Sequence, residues 1–377
     1  MKKSLKKKLT AILTSLLLLI ALTVVSMVTD VLDAVLAPEE PAQTPAPTSA
    51  TQPAETAPQE TTVPPADSTG LTVHFIDVGQ ADSMLLECDG KFMLIDAGNV
   101  GDGQLVVSYL QQQGVEQLQT VIVTHAHEDH VGGMAAVMAV FPVEKVYCPT
   151  KVYSSRCFDD FMHYVDQQRL TVTDPVPGDV FMLGSAEVTI LGPVRSYAET
   201  NDTSIVCRVV YGSNSFLFTG DMEREAELEM LDSGAYVKSD VLKVGHHGSD
   251  TSSSYRFIRE VDPEYAVIPV GTDNDYGHPH NEPMSRLRHA GMTIFRTDLM
   301  GSVVAYSDGI QIVFTWDNQS VNPELAQYTG IYVGNKNSLR VHSEECGSLP
   351  SANNRVEFAT LEEALEAGYS PCTGCLD

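Results

Sequence analysis

The residues best suited to chemistry lie in one short segment, Thr124-His-Ala-His-Glu-Asp-His-Val-Gly-Gly133. The segment follows an apolar stretch typical of a strand and precedes small residues typical of a helix. Imidazole and carboxylate groups are ligands that zinc, manganese and iron accept. Since His125 and His127 are two residues apart at a strand end, they can face one ion. Asp129 and His130 begin the next turn and can face a second, so we predict a metal site rather than a solvated loop.

Three later segments also place polar residues directly after apolar strands. Asp221 ends one such strand, where its carboxylate can bridge two ions or simply form a turn. His246 and His247 end another, and either can be the metal ligand. His278 and His280 lie in a loop rich in Gly, Asn and Pro, a context that suits binding or proton transfer more than packing. We predict that His280 or His278 protonates the leaving oxygen or orients the substrate.

Strands and helices alternate along the chain from Leu71 onward. Short β-branched and apolar runs bounded by Gly or Asp predict strands, and amphipathic stretches predict helices. The predicted strands are 71–76, 83–87, 92–95, 120–123, 145–148, 188–191, 204–210, 215–218, 241–244 and 266–270, and the predicted helices include 104–113, 223–231 and 284–290. This interleaving indicates an α/β layered domain.

The order of the polar motifs resembles the metallo-β-lactamase fold, because His-x-His-x-Asp-His is followed by Thr-Gly-Asp and then by Gly-His-His-Gly-Ser. More narrowly, the chain from Leu71 to Trp316 is similar to the C-terminal hydrolase domain of the ComEC competence proteins. The segments that carry this similarity are 74–83, 94–99, 201–204, 243–249, 276–280 and 296–298. The resemblance implies a four-layer αββα sandwich over residues 71–317.

The resemblance and the metal chemistry together imply a phosphodiesterase or nuclease that acts on DNA or nucleotides through water activated by two divalent ions, zinc or manganese. The predicted metal ligands are His125, His127, Asp129, His130, Asp221 and His246. The predicted catalytic residues are Asp129, His280 and His278, and the predicted substrate-binding residues are Asn201, Ser204 and His247. The segment 201–204 stands where the wider fold supplies another His ligand. Two alternatives stay open: a hydrolase of small esters, lactones or lactams, and a noncatalytic tethered binding module.

The charge of the chain restricts how it can bind nucleic acid. The sequence has 23 Lys and Arg against 50 Asp and Glu, a net charge of −27. Five of the lysines precede the first apolar run, which leaves 18 basic residues against the same 50 acidic ones in the rest. Nonspecific nucleic-acid binding depends on Lys and Arg neutralising phosphates. A tight, sequence-tolerant DNA binder is therefore disfavoured, whereas an enzyme that grips one phosphate through metal ions is not.

The N-terminal residues 1–37 are predicted to be a signal peptide or a membrane anchor. Leu9 to Thr29 is an apolar stretch long enough to cross a bilayer, and the lysines before it should stay cytoplasmic. Pro38 after the small residues at Ala34 and Ala37 disfavours cleavage there, so we favour the anchor. Residues 38–70 are rich in Pro, Thr and Ala and are predicted to be a disordered linker. The catalytic part should then lie on the extracellular side of the membrane, anchored or secreted.

The C-terminal residues 330–377 are predicted to form a small zinc-ribbon-like module. His342 and Cys346 form one close pair, and Cys372 and Cys375 form another, the pattern of a closed structural zinc site. A disulfide with a spare thiol is the alternative. The segment is similar to the small metal-binding domain of the Ada repair protein, whose first metal position is a methyl-accepting Cys. Because His342 stands at that position, methyl transfer is not implied.

Overall fold

The structure, a computed structural model, describes residues 70–325, 331–344, 346–373 and 375–376. The predicted signal or anchor, and the predicted linker except Gly70, lie outside the described residues, and both stay predictions. Within the described ranges, no helix combines the length and apolar character that crossing a membrane requires.

Two eight-stranded sheets form the centre of the molecule. The first sheet contains β1 (Leu71–Phe75), β2 (Met84–Cys88), β3 (Lys91–Ile95), β4 (Leu118–Ile122), β5 (Val143–Tyr147), β6 (Val172–Thr173), β14 (Val303–Ser307) and β15 (Ile312–Trp316). Its spatial order is β15-β14-β1-β2-β3-β4-β5-β6, and the run from β3 to β6 is parallel.

The second sheet contains β7 (Val180–Leu183), β8 (Ala186–Gly192), β9 (Val206–Tyr211), β10 (Asn214–Phe218), β11 (Val241–Lys243), β12 (Tyr265–Ile268), β13 (Thr293–Arg296) and β16 (Glu324–Leu325). Its order is β16-β13-β12-β11-β10-β9-β8-β7, with β10 to β13 parallel. Both parallel runs need crossover connections, which supply the helices of the outer layers.

The helices cover the outer faces of the two sheets. The helices of this domain are α1 (Gly103–Gln112), α2 (Glu128–Val131), α3 (Met134–Val140), α4 (Arg156–Gln167), α5 (Arg224–Asp232), α6 (Tyr255–Val261), α7 (Asn281–His289) and α8 (Thr297–Met300), with 3-10 turns at Val100–Asp102, Asn201–Thr203 and Gly245–Gly248. A last helix, α9 (Leu361–Glu366), and a 3-10 turn at Ala352–Asn354 belong to the C-terminal residues described below. Helices α1, α3 and α4 share a core with the first sheet, and α5 and α6 share one with the second. Between the sheets lies a further apolar core, in which Phe75 stacks on Phe218 at 6.2 Å. The expected four-layer αββα fold is confirmed.

Residues 331–376 form a small module with its own sheet. Its strands are β17 (Tyr332–Asn335), β18 (Arg340–Ser343), β19 (Arg355–Phe358) and β20 (Ser370–Pro371), in the order β19-β17-β18-β20. Helix α9 begins with a capping box in which Thr360 accepts from the backbone of Glu363. The apolar side of the module packs against Tyr255, the first residue of α6.

Candidate active site

The polar motifs meet where the parallel strands of both sheets end. His125 and His127 follow β4, Asp221 follows β10, and His247 follows β11. Because carboxyl ends of parallel strands collect at one edge of an α/β sheet, residues that are far apart in sequence share one cleft. This placement is what the motif order predicted.

Four side chains form a compact cluster in this cleft. One ligand atom from each of Asp129, His130, Asp221 and His247 lies within 4.8 Å of the others. The Asp221 Oδ2 atom is 3.3 Å from His130 Nε2 and 3.6 Å from His247 Nε2, and His247 Nε2 is 3.3 Å from Asp129 Oδ2. Three of the four residues are buried, and Asp129 is the partly exposed one.

The hydrogen bonds of the two histidines fit a metal ion. His130 Nδ1 donates to Asp96 Oδ2 at 2.8 Å, and His247 Nδ1 donates to the carbonyl of Pro269 at 3.0 Å. Each ring therefore carries its proton on Nδ1 and presents the lone pair of Nε2 to the cluster. Both Nε2 atoms are buried, and each faces a carboxylate oxygen at 3.3 Å without a well-aligned hydrogen bond among the described residues. Unsatisfied buried nitrogens opposite two carboxylates are the donor set of a divalent cation.

The electrostatics of the cluster also favour a cation. Burial raises the pKa of Asp221, but His130 and His247 outweigh burial and hold it well below its ordinary value. Burial lowers the pKa of His130, yet Asp221 and Asp129 outweigh this and raise it. In the metal-free protein the negative carboxylates thus stabilise the proton on His130, and a divalent ion can take the place of that proton.

His125 and His127 lie beside this cluster but are less completely surrounded. His125 Nε2 is 3.0 Å from His127 Nδ1, and His125 Nδ1 is within 3.4 Å of the hydroxyls of Thr124 and Ser204. Burial together with His130 lowers the pKa of His125 well below its usual value, so its ring is neutral and able to bind metal. Among the described residues, no group of three or more close His, Cys, Asp or Glu side chains includes this pair. The second predicted metal position is therefore poorer in ligands than the first.

The predicted substrate-binding residues Asn201 and Ser204 form hydrogen bonds to residues of the site. Ser204 Oγ accepts the backbone N–H of Asp221 at 3.0 Å and is buried. Asn201 Nδ2 donates to Glu223 Oε1 at 2.9 Å. The hydroxyl of Ser204 thus contacts both Asp221 and His125, and its contact with a substrate stays a prediction.

Of the two adjacent histidines, either of which could be the metal ligand, the structure places His247 in the cluster. His247 is buried within the cluster, whereas His246 lies at its edge with its Nε2 3.7 Å from Asp221 Oδ2 and its Nδ1 3.3 Å from Glu223 Oε1. Both residues have left-handed backbone conformations, with φ of 50° and 52°. Such strain is uncommon outside glycine and is found at functional sites. The tight turn directs the second imidazole inward and leaves the first at the rim.

His278 and His280 have different environments. The Gly271 N–H donates to the Gln80 side-chain oxygen at 3.0 Å, which fixes the orientation of the amide. The Gln80 Nε2 group therefore donates to His278 Nδ1, 3.3 Å away. Burial and the neighbouring histidines lower the pKa of His278 to about 4, so it is neutral at pH 7 with its proton on Nε2. Both nitrogens of His280 face backbone groups, the N–H of Asp250 and the carbonyl of Tyr276. The Nε2–H group of His278 is thus available as a hydrogen-bond donor. His280 instead links two backbone segments through hydrogen bonds to Asp250 and Tyr276.

Lys243 is a buried charged residue of the site that the sequence motifs did not single out as a ligand or catalytic group. Its side chain is fully buried, contacts the Asp82 carboxylate, lies 3.7 Å from Asp221 Oδ1 and donates to the Gly220 carbonyl at 2.9 Å. Burial lowers its pKa, but Asp82 and Asp221 outweigh burial and raise it, so it is an ammonium. Its position inside the apolar run of β11 was the available signal, because a buried lysine needs a carboxylate partner.

The C-terminal module gathers the four residues predicted to hold zinc. Ligand atoms of His342, Cys346, Cys372 and Cys375 lie within 4.8 Å of one another, and His342 Nδ1 is 3.3 Å from Cys346 Sγ. The seven cysteines form no disulfide in the described part of the chain. One His and three Cys suit a closed tetrahedral zinc site.

Comparisons with known proteins agree with this geometry. The family model described as the metallo-beta-lactamase superfamily matches residues 76–272, just over half of the 377-residue chain. ComE operon protein 3 of Bacillus subtilis is 29% identical over 61% of this chain and 32% of its own length. Competence protein ComA of Neisseria gonorrhoeae is 32% identical over 63% of this chain and 32% of its own length. Exodeoxyribonuclease YycJ of Bacillus anthracis is 25% identical over 47% of this chain and 73% of its own length. The chain thus spans about a third of the two competence proteins.

Proposed function

Because the chain belongs to the metallo-beta-lactamase superfamily and carries the donors of a metal-dependent hydrolase, we propose that it cuts phosphodiester bonds in DNA or nucleotides. The observation that carries this proposal is the buried cluster of Asp129, His130, Asp221 and His247, with both His Nε2 atoms unsatisfied within the described structure. A similar protein is named an exodeoxyribonuclease, and two others are named for competence and the ComE operon. The exodeoxyribonuclease, matched over 47% of this chain, favours a nucleic-acid substrate, whereas two hydroxyacylglutathione hydrolases match only 18% and 10% of the chain.

The residues around the cluster have distinct parts in this reaction. A divalent ion held by Asp129, His130, Asp221 and His247 would supply a water molecule of lowered pKa and positive charge for the scissile phosphate. Asp96 and the Pro269 carbonyl fix the tautomers of His130 and His247, so that their Nε2 atoms face the ion. Neutral His278 donates its Nε2 proton as a hydrogen bond to a phosphate oxygen.

We propose two metal positions of unequal strength. The stronger would be held by Asp129, His130, Asp221 and His247, whereas the weaker would be held by the imidazoles of His125 and His127. A position with fewer protein ligands keeps coordination sites open for water or phosphate oxygens. Its occupancy should therefore increase when a phosphodiester is present.

A direct assay tests the proposed function. The full-length protein, purified in detergent and loaded with Mn²⁺ or Zn²⁺, should hydrolyse bis-p-nitrophenyl phosphate and single-stranded DNA, and should not open the lactam of nitrocefin. His247→Ala should abolish diester cleavage, while His163→Ala, at an exposed position of α4, serves as the matched control. Nitrocefin turnover without diester cleavage would reverse the assignment.

We also propose a zinc ion in the C-terminal module and an extracellular position for the hydrolase domain. The proposal of a zinc ion is supported by the four close ligands His342, Cys346, Cys372 and Cys375. The proposal of an extracellular position is supported by the apolar N-terminal segment and the lysines that precede it. Protease treatment of intact cells should degrade the domain and spare a cytoplasmic marker. Protection of the domain until the membrane is permeabilised would contradict the extracellular position.

A further inference from the structure

One large aromatic side chain stands exposed beside the cluster. Tyr276 has 68% of its surface open to solvent, and its ring stacks on that of His278 at a centroid distance of 5.6 Å and an angle of 23°. Since one face of the phenol ring lies against His278, the opposite face is available to a ligand. A single exposed aromatic is ordinary on a protein surface, so its meaning depends on how rigidly it is held and where it stands.

The loop that carries Tyr276 is fixed by hydrogen bonds. Asn274 Oδ1 accepts the backbone N–H groups of Tyr276 at 3.2 Å and His278 at 3.0 Å. Asn274 Nδ2 donates to the carbonyls of Gly271 and His278, and His280 Nε2 donates to the carbonyl of Tyr276. The backbone around the ring is thus ordered before any ligand arrives, which lowers the entropic cost of using the ring as a contact surface.

The ring of Tyr276 also lies near the proposed metal ligands. The His278 ring, which carries Tyr276 on one side, is stacked towards the His247 ring at 6.4 Å and 24° and lies 5.6 Å from the ring of His246. A single imidazole therefore separates Tyr276 from a proposed metal ligand. Tyr276 is therefore close enough to the cluster for one substrate to contact both.

The charges near the ring restrict what that group can be. Residues 271–280 contain Asp273 and Asp275 but no Lys or Arg, and Asp250 Oδ1 lies 3.5 Å from His280 Nδ1. This side of the cleft repels a second phosphate, because no basic side chain of the loop can neutralise it. A flat, uncharged group with an aromatic face is not repelled, and every nucleobase offers such a face.

We propose that Tyr276 forms a nucleobase-binding subsite for the nucleotide whose phosphate is cut. The inference rests on the proposed phosphodiesterase function and specifies its substrate class: a nucleotide ester or a strand end is preferred over a simple phosphodiester. Base stacking is remote from the bond that breaks and is present equally in the ground and transition states, so its loss should raise KM and leave kcat nearly constant.

A matched pair of substrates isolates the subsite. One is the p-nitrophenyl ester of thymidine 5′-phosphate, and the other is the same ester with a hydrogen in place of thymine. The wild-type full-length protein should have a lower KM for the thymidine ester, by about five- to 150-fold, the range of one base stacked on an aromatic ring. Tyr276→Ala should bring the KM ratio close to one, and Tyr276→Phe should keep it because the phenyl face remains. Tyr236→Ala is the matched control, since Tyr236 is 66% exposed and packs on Arg208 instead.

A binding measurement separates this inference from the proposed function. Titration of thymidine 5′-monophosphate into the metal-loaded protein should show an affinity that Tyr276→Ala reduces and Tyr276→Phe retains. If both esters are cut with equal KM and the variants do not differ, the subsite is refuted while the phosphodiesterase function stands. If neither ester is cut but nucleotide binding depends on Tyr276, the subsite stands and the proposed function fails. If neither cleavage nor binding occurs, both are refuted.

Discussion

Replacing Asp96 by Asn tests whether the ligand geometry depends on a carboxylate behind His130. Asp96 is fully buried and accepts three hydrogen bonds, from Thr124 N at 2.8 Å, Thr124 Oγ1 at 2.6 Å and His130 Nδ1 at 2.8 Å. In Asp96→Asn the remaining oxygen can still accept the backbone N–H of Thr124. The new NH₂ group then faces His130 Nδ1, and two donors cannot hydrogen-bond to each other.

The expected magnitude follows from the tautomer of His130. To avoid the donor–donor contact, His130 must move its proton to Nε2, the atom that should bind the ion, or turn away from the introduced amide. Loss of such a support for a metal-binding histidine typically weakens metal affinity by about 10- to 100-fold, which corresponds to about 1.4–2.7 kcal/mol. The protein should still fold, because the substitution keeps the size of the side chain and removes a buried negative charge.

Competition with a fluorescent zinc chelator measures the affinity, and circular dichroism verifies the fold. Asp77→Asn is the matched control, since Asp77 Oδ1 accepts the Gly79 N–H in a turn and contacts none of the proposed ligands. Zinc affinity within about twofold of the wild type in folded Asp96→Asn, or an equal loss in Asp77→Asn, would refute the proposed link between Asp96 and the ion.

Three further substitutions test separate parts of the structure. His247→Ala should remove tightly bound metal from the hydrolase domain, whereas His246→Ala should keep it, as measured by elemental analysis after gel filtration; equal losses would contradict the placement of the two rings. Lys243→Met should lower the free energy of unfolding by about 3–5 kcal/mol, because it leaves a buried carboxylate without its cation. Thermal melts measure this effect. In the same melts Lys238→Met, which removes an exposed ion pair, should leave Tm nearly unchanged. Cys346→Ser should reduce the zinc content by one ion per chain, and an unchanged content would rule out the C-terminal zinc site.

Local signals in the sequence predicted an α/β layered domain, and the family resemblance specified the four-layer sandwich. The predicted strand 120–123 is observed at Leu118–Ile122, and the chemical motif follows it almost at once, so the strand and the site support each other. Predicted helix 223–231 is observed at Arg224–Asp232. The pairing of β1 with β14, which closes one side of the first sheet, joins residues more than 200 positions apart. No short pattern encodes such a contact, so the position of β14 had to come from the structure.

The division of roles among neighbouring residues was beyond the reach of sequence. Whether His246 or His247 enters the cluster depends on two successive left-handed backbone conformations, which the sequence Gly-His-His-Gly permits without specifying. The hydroxyl of Ser204 is equally suited to a substrate or to a backbone N–H, and only tertiary contacts assign it to Asp221. The spacing of motifs after strands predicts which residues meet at the carboxyl edge of the sheets. Tertiary hydrogen bonds then determine which side-chain atoms face the proposed metal ion.

The buried charges bear on how so acidic a chain would act on the anionic substrate proposed for it. Asp82, Asp129 and Asp221 lie in or behind the cleft, and the lysine among them, Lys243, is turned inward against Asp82 and the Gly220 carbonyl. Without a bound cation this arrangement repels a phosphodiester, as does the chain as a whole with its net charge of −27. A divalent ion reverses the local sign only where it binds. Under the proposed function, affinity for the substrate would therefore depend on metal occupancy, and the cleft would favour a single phosphate at the ion over the extended backbone of a long polyanion.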